Sequence, residues 1–378
     1  MLQKLTPQFI DITRQRDACE PEMSAAIHRV LDHGRFVSGP EVAELEERLA
    51  AYLGVKHAVA CANGTDALQV MLRSAGIGHG DAVFIPSLTY AATAEAVMLA
   101  GAVPVFVDVE VGTGNMCPSS LAAAIEGFDV ALEIEPKAVL AVDLFGIPAD
   151  HAGLSAVAGK HGLKLFYDTA QSFGSVGREA MCGALGDGAA TSFYPSKSLG
   201  CFGDGGAMFT GDDDLADAMR VVRDHGLYGA PKAHRVLGTN SRLDTIQAAV
   251  LLVKLSVFGD ELNMRQAIAD RYVAELEGLV GLPEVPDGTD PCWSYYRITT
   301  DRRDDLHAWL GERGVPSVVY YREATHLQPA FAEAPVGAGG LAGTEELSRT
   351  QLCLPVHPYL SEPELDMIVG AIKGFFSA

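Results

Sequence analysis

The chain has 378 residues, 48% of them hydrophobic and 20% charged, and a formal net charge of −21. That length fits two domains, or one large and one small, around a substantial core. A chain this acidic, with no basic run, is not expected to bind nucleic acid or an anionic membrane, and its seven cysteines, with no CxxC pair, predict reduced thiols, no metal centre and a cytoplasmic setting.

The elements follow in chain order. "RFVSGPEVAELEERLAAYLG" opens with a turn at Gly39-Pro40 and continues as an amphipathic helix that stops at Gly54. "HAVACAN" is a short apolar strand running into the helix "GTDALQVMLRSAG", whose first turn lies near Thr65. The stretch Ala82 to Val107 is the most apolar, but Pro86, Glu95, Gly101 and Pro104 interrupt it. It reads as strand, helix, strand and not as a membrane span. "KAVLAVDLFG" is a strand, a helix follows around Leu154 to Lys160, and "GLKLFYD" is a strand ending at Asp168. "GAATSFYP" and "GGAMFTG" form a further pair. Near-continuous apolar strands alternating with helices predict a mostly parallel sheet covered on both faces.

"DDDLADAMRVVRDHG" is acidic at its start and basic near its end, as a helix dipole favours. Long helical material from "SRLDTIQAAVLLVKL" onward bridges to a smaller α+β part. There "CWSYYRITT" and "VPSVVYY" read as strands, "RDDLHAWLGERG" and "SEPELDMIVGAIKGFF" as helices, and "FAEAPVGAGGLAG" as a surface loop.

Four features carry chemistry, each with a plainer reading beside it. Asp168 ends a strand, at the edge where open α/β sheets bind ligands. It suits a protonated cofactor ring nitrogen, or it caps the next turn. Gly64 and Thr65 begin a helix after a strand, so their N–H groups and the threonine hydroxyl suit a phosphate, or form an ordinary cap. Tyr90 lies on the same rim, to stack on a flat cofactor or to pack. Lys197 follows "AATSFYP" and precedes a glycine-rich run. It is a Schiff-base lysine whose pKa falls among Phe193, Tyr194 and Leu199, or an exposed loop lysine.

The stretches "GPEV", "CANGTDAL", "GAVPVFVDV", "YDTAQSFG", "TSFYPSKSLGCFGDGGAMFT", "GTNSRLDTIQAA" and "LCLPVHPYL" span most of the chain. In this order they resemble the sugar-nucleotide aminotransferases of the DegT type, in the aspartate-aminotransferase-like (fold type I) class of pyridoxal-phosphate enzymes. The resemblance implies an α/β large domain, residues 1–255, on a mostly parallel seven-stranded sheet, and a small α+β domain, residues 256–378. It implies pyridoxal 5'-phosphate, alternating with its amine form, as cofactor. Lys197 would bind it as a Schiff base, Asp168 would meet the pyridine nitrogen and Gln171 the ring hydroxyl. Gly64, Thr65 and Ser192 would hold the phosphate, and Tyr90 would cover the ring. Asn240 would reach the phosphate of a neighbouring subunit, so a homodimer with shared active sites is expected. L-glutamate would donate the amino group and leave as 2-oxoglutarate.

"FYPSKSLGCFGDGGA" with "NSRLD" looks most like the branch that aminates UDP-2-acetamido-2-deoxy-3-oxo-glucuronate in bacterial surface-polysaccharide (lipopolysaccharide, O-antigen) synthesis. Arg242 would then pair with the sugar carboxylate across the subunit interface, and Tyr321 and His326 would touch the sugar. "YYREATHLQPAF" departs from the family's Tyr-Pro-x-Pro-Leu pattern, with Arg322 and Glu323 in the changed stretch. A neutral or 6-deoxy keto sugar is the alternative substrate. Related sugar dehydratases carry histidine where this chain has Lys197. A non-catalytic regulatory protein of this fold is expected to lose Asp168 or Lys197, and both are present. No glycine fingerprint for a nicotinamide cofactor follows the first strand.

Overall fold

The structure, a computed structural model, describes residues 6–128, 134–229 and 233–378. Three helices come first: α1 (Ile12–Ala18), α2 (Glu22–His33) and α3 (Pro40–Leu53), the last with proline in its first turn and Gly54 in the left-handed conformation at its end. The alternating section follows as β1 (His57–Cys61), α4 (Gly64–Ser74), β2 (Asp81–Pro86), α5 (Ala91–Leu99), β3 (Val103–Val107), α6 (Pro118–Glu126), β4 (Glu135–Val142), α7 (His151–His161), β5 (Lys164–Asp168), β6 (Gly188–Ser192) and β7 (Gly206–Thr210). These seven strands form one sheet in the order β1-β7-β6-β5-β4-β2-β3. Only β7 runs against its neighbours, β1 and β6; the other pairs are parallel.

Apolar layers cover both faces, which is why the strands read as continuous apolar runs. On one face Leu45, Leu49, Leu121, Leu154, Leu251 and Phe258 pack against the sheet. On the other, Leu68, Met71, Val97, Met219 and Val222 do so. The second group includes α8 (Asp213–Arg223), whose Asp212 side chain caps its first turn. A short hairpin, β8 (Leu227–Tyr228) and β9 (Ala233–His234), leads toward α9 (Thr245–Leu276).

Helix α9 has 32 residues, about 48 Å at 1.5 Å per residue. Its first half joins the large-sheet core through Ala248, Leu251 and Phe258. Its second half joins a separate C-terminal core through Ile268, Tyr272 and Leu276. The expected boundary after residue 255 therefore falls inside a continuous helix. The C-terminal core is completed by β10 (Tyr296–Thr299), α10 (Arg303–Glu312), β11 (Gln351–Leu354) and α12 (Glu362–Ser377), while α11 (Ala342–Thr350) packs Leu347 into a separate cluster with Val109, Leu144 and Phe145.

One expectation for this part changes. "VPSVVYY" is not a strand: only Val318 bridges to Cys353, and the chain then turns inward at Tyr320 and Tyr321. Strand β10 pairs antiparallel with β11, inside "LCLPVHPYL". The stretch read as a surface loop is mostly exposed, as expected, and is anchored where Phe106 donates its N–H to the Pro335 carbonyl at 2.9 Å and Gly337 donates to the Phe106 carbonyl at 2.8 Å. It covers the β3 edge of the sheet. All seven cysteines are free. No helix among the described residues is long and apolar enough to cross a membrane.

Candidate active site

Strand direction brings the candidate residues to one rim. Strands β1, β2, β4, β5 and β6 all end there, and a cavity of about 720 Å³ opens between that rim and the C-terminal part. Gly64, Thr65, Tyr90, Asp168, Gln171, Ser192, Lys197 and Tyr321 all line it.

The start of α4 builds one wall. Asn63 caps the helix, its Oδ1 accepting from the Asp66 N–H at 2.8 Å, while its carbonyl accepts from Ala67. The Gly64 and Thr65 N–H groups have no acceptor among the described residues. They stand at the positive end of the helix beside the Ser192 hydroxyl, as an anion requires. The approach is too close for side chains: a Cβ on Gly64 would lie 2.6 Å from Ser192 Cβ, and one on Gly206 would lie 2.5 Å from the Asn63 carbonyl oxygen. A Cβ at either position would fill the cradle.

Asp168 forms the base of the cavity and is 7% exposed. Its Oδ1 accepts from the Ala170 N–H at 3.1 Å and its Oδ2 from the Thr93 hydroxyl at 2.9 Å. Burial pushes the carboxyl above its ordinary range, while those bonds and the nearby Lys197 charge pull it down. Lys197 shows the opposite response: burial lowers its amine pKa, and Asp168 partly offsets this. The amine makes no hydrogen bond or ion pair with any described residue. A buried carboxylate lacking a full counter-charge, an unengaged amine and an anion cradle on one cavity match the ring nitrogen, aldehyde and phosphate of pyridoxal phosphate.

Tyrosines enclose the rest. Tyr90, 61% exposed, stands with its ring 6.2 Å from that of Tyr321. Gln171 accepts from the Phe145 N–H at 2.8 Å and donates to the Tyr321 hydroxyl at 3.1 Å, which fixes its amide between sheet and wall. Tyr194, expected only as apolar surroundings of Lys197, also lines the wall; Tyr295 and Tyr320 complete it and were not singled out from the sequence. Nor was Thr93, although it stands one turn beyond Tyr90 on α5. An alanine-rich helix gives no hint that its threonine meets Asp168.

Three expected residues lie outside this chain's own cavity. Arg242 donates to Asp224 at 2.8 Å and to the Asn240 side chain at 2.7 Å, on the segment after β9. His326 is drawn behind the rim, where its Nδ1 meets the Ser87 hydroxyl at 2.7 Å and its ring sits edge-on to Phe106 at 6.2 Å. Spacing also gave no hint of a buried cluster behind Asp168. There Asp143 accepts from the Ala149 N–H and from His151 Nε2, each at 2.8 Å, with Cys182 alongside. Burial pulls the His151 imidazole down, but the Asp143 charge and hydrogen bond, helped by Glu179 and Asp150, together outweigh it, and the pKa stands above its ordinary value.

The model of the DegT/DnrJ/EryC1/StrS aminotransferase family matches residues 17–373. The UDP-2-acetamido-2-deoxy-3-oxo-D-glucuronate aminotransferase of Pseudomonas aeruginosa is 42% identical over 97% of this chain and 99% of its own length. The dTDP-3-amino-3,4,6-trideoxy-alpha-D-glucose transaminase of Streptomyces venezuelae is 40% identical over 97% of this chain and 95% of its own. Among solved structures, a DegT DnrJ EryC1 StrS aminotransferase from Brucella abortus superposes with a TM-score of 0.96 at 50% identity, covering 98% of this chain and 100% of that one. The ntda structure from Bacillus subtilis, with bound cofactor PMP, superposes with a TM-score of 0.88 at 28% identity, covering 100% of this chain and 87% of that one. With the family matched along nearly the whole chain and the cavity fitted to the cofactor, the chain belongs to the DegT/DnrJ/EryC1/StrS aminotransferases and is a pyridoxal-phosphate-dependent sugar-nucleotide aminotransferase.

Proposed function

We propose that this enzyme moves an amino group from L-glutamate to the 3-keto group of UDP-2-acetamido-2-deoxy-3-oxo-glucuronate, as a cytoplasmic homodimer with shared active sites, in bacterial surface-polysaccharide synthesis. The observation that carries the chemistry is the Lys197 amine, desolvated and without a hydrogen-bond or ion-pair partner among the described residues, on the cavity that holds Asp168. The relative from Pseudomonas aeruginosa supports the uronate over other sugars. The relative from Streptomyces venezuelae, nearly as similar, favours a second reading, a deoxy sugar on a dTDP carrier.

The bound cofactor supplies an electron sink for the carbanion formed next to the transferred nitrogen. The remaining work falls to this chain's residues. Lys197 would hold the cofactor through its Nζ, and that amine, once free, would take and return the proton at the carbon bearing the transferred nitrogen. Asp168 keeps the ring-nitrogen proton in place. The Gly64 and Thr65 amides and the Ser192 hydroxyl hold the phosphate, joined by Asn240 of a second copy. Tyr90 covers one ring face, and Gln171 orients the ring hydroxyl. Tyr295, Tyr320 and Tyr321 limit water access, with Tyr321 toward the sugar. Arg242 of the second copy pairs with the sugar carboxylate. His326 supports this region through Ser87 rather than reaching the cavity of its own chain. In this scheme residues 1–255 hold the cofactor and residues 256–378 close the cavity.

The test is a panel of keto-sugar nucleotides offered with glutamate. The uronate should be preferred by roughly tenfold or more over neutral and 6-deoxy sugars, as expected for one Arg–carboxylate pair. A preference for a neutral sugar removes Arg242 from this role.

A further inference from the structure

Asp168 is held by a side chain that never reaches the cavity. Thr93 is fully buried in α5. Its hydroxyl donates to Asp168 Oδ2 at 2.9 Å and meets the Thr89 hydroxyl at 2.8 Å. Because the Thr93 hydrogen goes to the carboxylate, Thr89 must be the donor in the second bond. A directed chain therefore runs from Thr89 through Thr93 to Asp168. Thr89 is itself fixed, since its carbonyl accepts from the Thr325 hydroxyl at 2.9 Å.

Two features separate Thr93 from an ordinary helical threonine. Such a hydroxyl commonly bonds to a backbone carbonyl one turn back, whereas both partners of Thr93 are side chains. In addition, α5 reads AATAEAVML, where alanine would form helix better than threonine. The position accepts a poorer helix former, and the hydroxyl lands on a buried carboxylate.

The surroundings show what that hydroxyl opposes. Lys197 faces Asp168 from the loop after β6, Tyr321 from the C-terminal part and Asp143 from the end of β4. Asp143 is a like charge, moderated by His151. Burial and Asp143 both favour a proton on Asp168, while Thr93, the Ala170 N–H and Lys197 favour the ionised form.

We propose that Thr93 is a positioning residue: its hydroxyl, backed by Thr89, orients the Asp168 carboxylate and keeps it ionised so that it can pair with the protonated ring nitrogen of the cofactor. This rests on the reading that Asp168 meets that nitrogen. Removal of the hydroxyl leaves Asp168 more easily protonated, and a neutral carboxyl no longer counters the ring-nitrogen charge.

The experiment titrates full-length apoenzyme with pyridoxal phosphate across a pH series, for the wild type, Thr93→Val, Thr93→Ser and Asp168→Asn. Valine keeps the shape and loses the hydroxyl; serine keeps the hydroxyl. Thr93→Val should bind the cofactor roughly tenfold more weakly or worse at neutral pH, the scale of a hydrogen bond to a charged group. The acid limb of its binding curve should move up by roughly one pH unit. Thr93→Ser should stay near wild type in both. If Thr93→Val matches wild type while Asp168→Asn is impaired, or if serine is weakened as much as valine, the positioning role is overturned. If Asp168→Asn itself binds like wild type, the underlying reading of Asp168 fails instead. Should valine prevent folding, Thr93→Ala takes its place with the same expected result.

Discussion

Two desolvated lysines lie close along the fold and do opposite things. Lys254, in α9, has no exposed surface, and burial draws its pKa down to about 8. Its amine donates to the Gly200 carbonyl at 2.5 Å and sits 4.7 Å from the centre of the Phe202 ring. Lys197, shortly before Gly200 in the chain, also has a lowered pKa, but among the described residues its amine has no hydrogen-bond partner and faces the cavity and the field of Asp168. Desolvation alone thus does not mark a nucleophile. It makes the lone pair available, and chemistry follows only where no carbonyl or carboxylate already occupies the amine. Lys254 ties down the turn that carries Lys197 through the Gly200 carbonyl, so one lysine helps to place the other.

The contrast is broken most severely at Lys197. Lys197→Ala should lower amination by roughly a thousandfold or more, because attachment and proton transfer both depend on one amine. A discontinuous assay of the sugar amine measures this. Lys254→Ala should instead cost stability, about 3 kcal/mol, from a cavity and an unsatisfied carbonyl at Gly200. Urea unfolding reads that loss, and the variant should still carry its cofactor on Lys197.

A smaller effect tests a tie far from the cavity. Glu364 accepts two bonds from Arg14, at 2.7 and 2.8 Å, and two from Ser361, at 2.9 and 2.7 Å. The Arg14 bonds are the main reason its carboxyl sits at about 2 instead of 4.5. A depressed folded-state value stabilises above the unfolded value, and that stabilisation is lost as pH falls from about 4.5 toward 2. Arg14 is 44% exposed, so Glu364→Gln should cost only about 1–2 kcal/mol near neutrality. Plots of Tm against pH for the two proteins should converge on the acid side. The smallest effect on turnover is expected at Arg242: Arg242→Gln should lower kcat/KM for the uronate by roughly tenfold and spare a neutral sugar.

Much of the architecture was legible because it rests on local pattern. Strands buried on both faces produce apolar runs, and a strand that ends in Asp168 or runs into Gly64 places those residues on the ligand-binding rim. Lys197 was ambiguous alone and became meaningful with the rim residues around it. The unreadable parts depend on contacts distant in sequence. "VPSVVYY" has strand composition, yet one bridge to Cys353 is all the pairing it makes before it supplies Tyr320 and Tyr321 to the wall. His326 falls in the expected sugar region, but Ser87 and Phe106 hold it behind the rim. Thr93 meets Asp168 only because the start of α5 reaches the last residue of β5 through a side-chain hydrogen bond, and helical periodicity does not encode that.

The account stands most directly on which amine carries the cofactor. Borohydride reduction of the holoenzyme, followed by peptide mass mapping, should place a single pyridoxyl group on Lys197 and leave Lys254 unmodified. A stable adduct on Lys254, or a protein that binds pyridoxal phosphate with no reducible bond at Lys197, would contradict it.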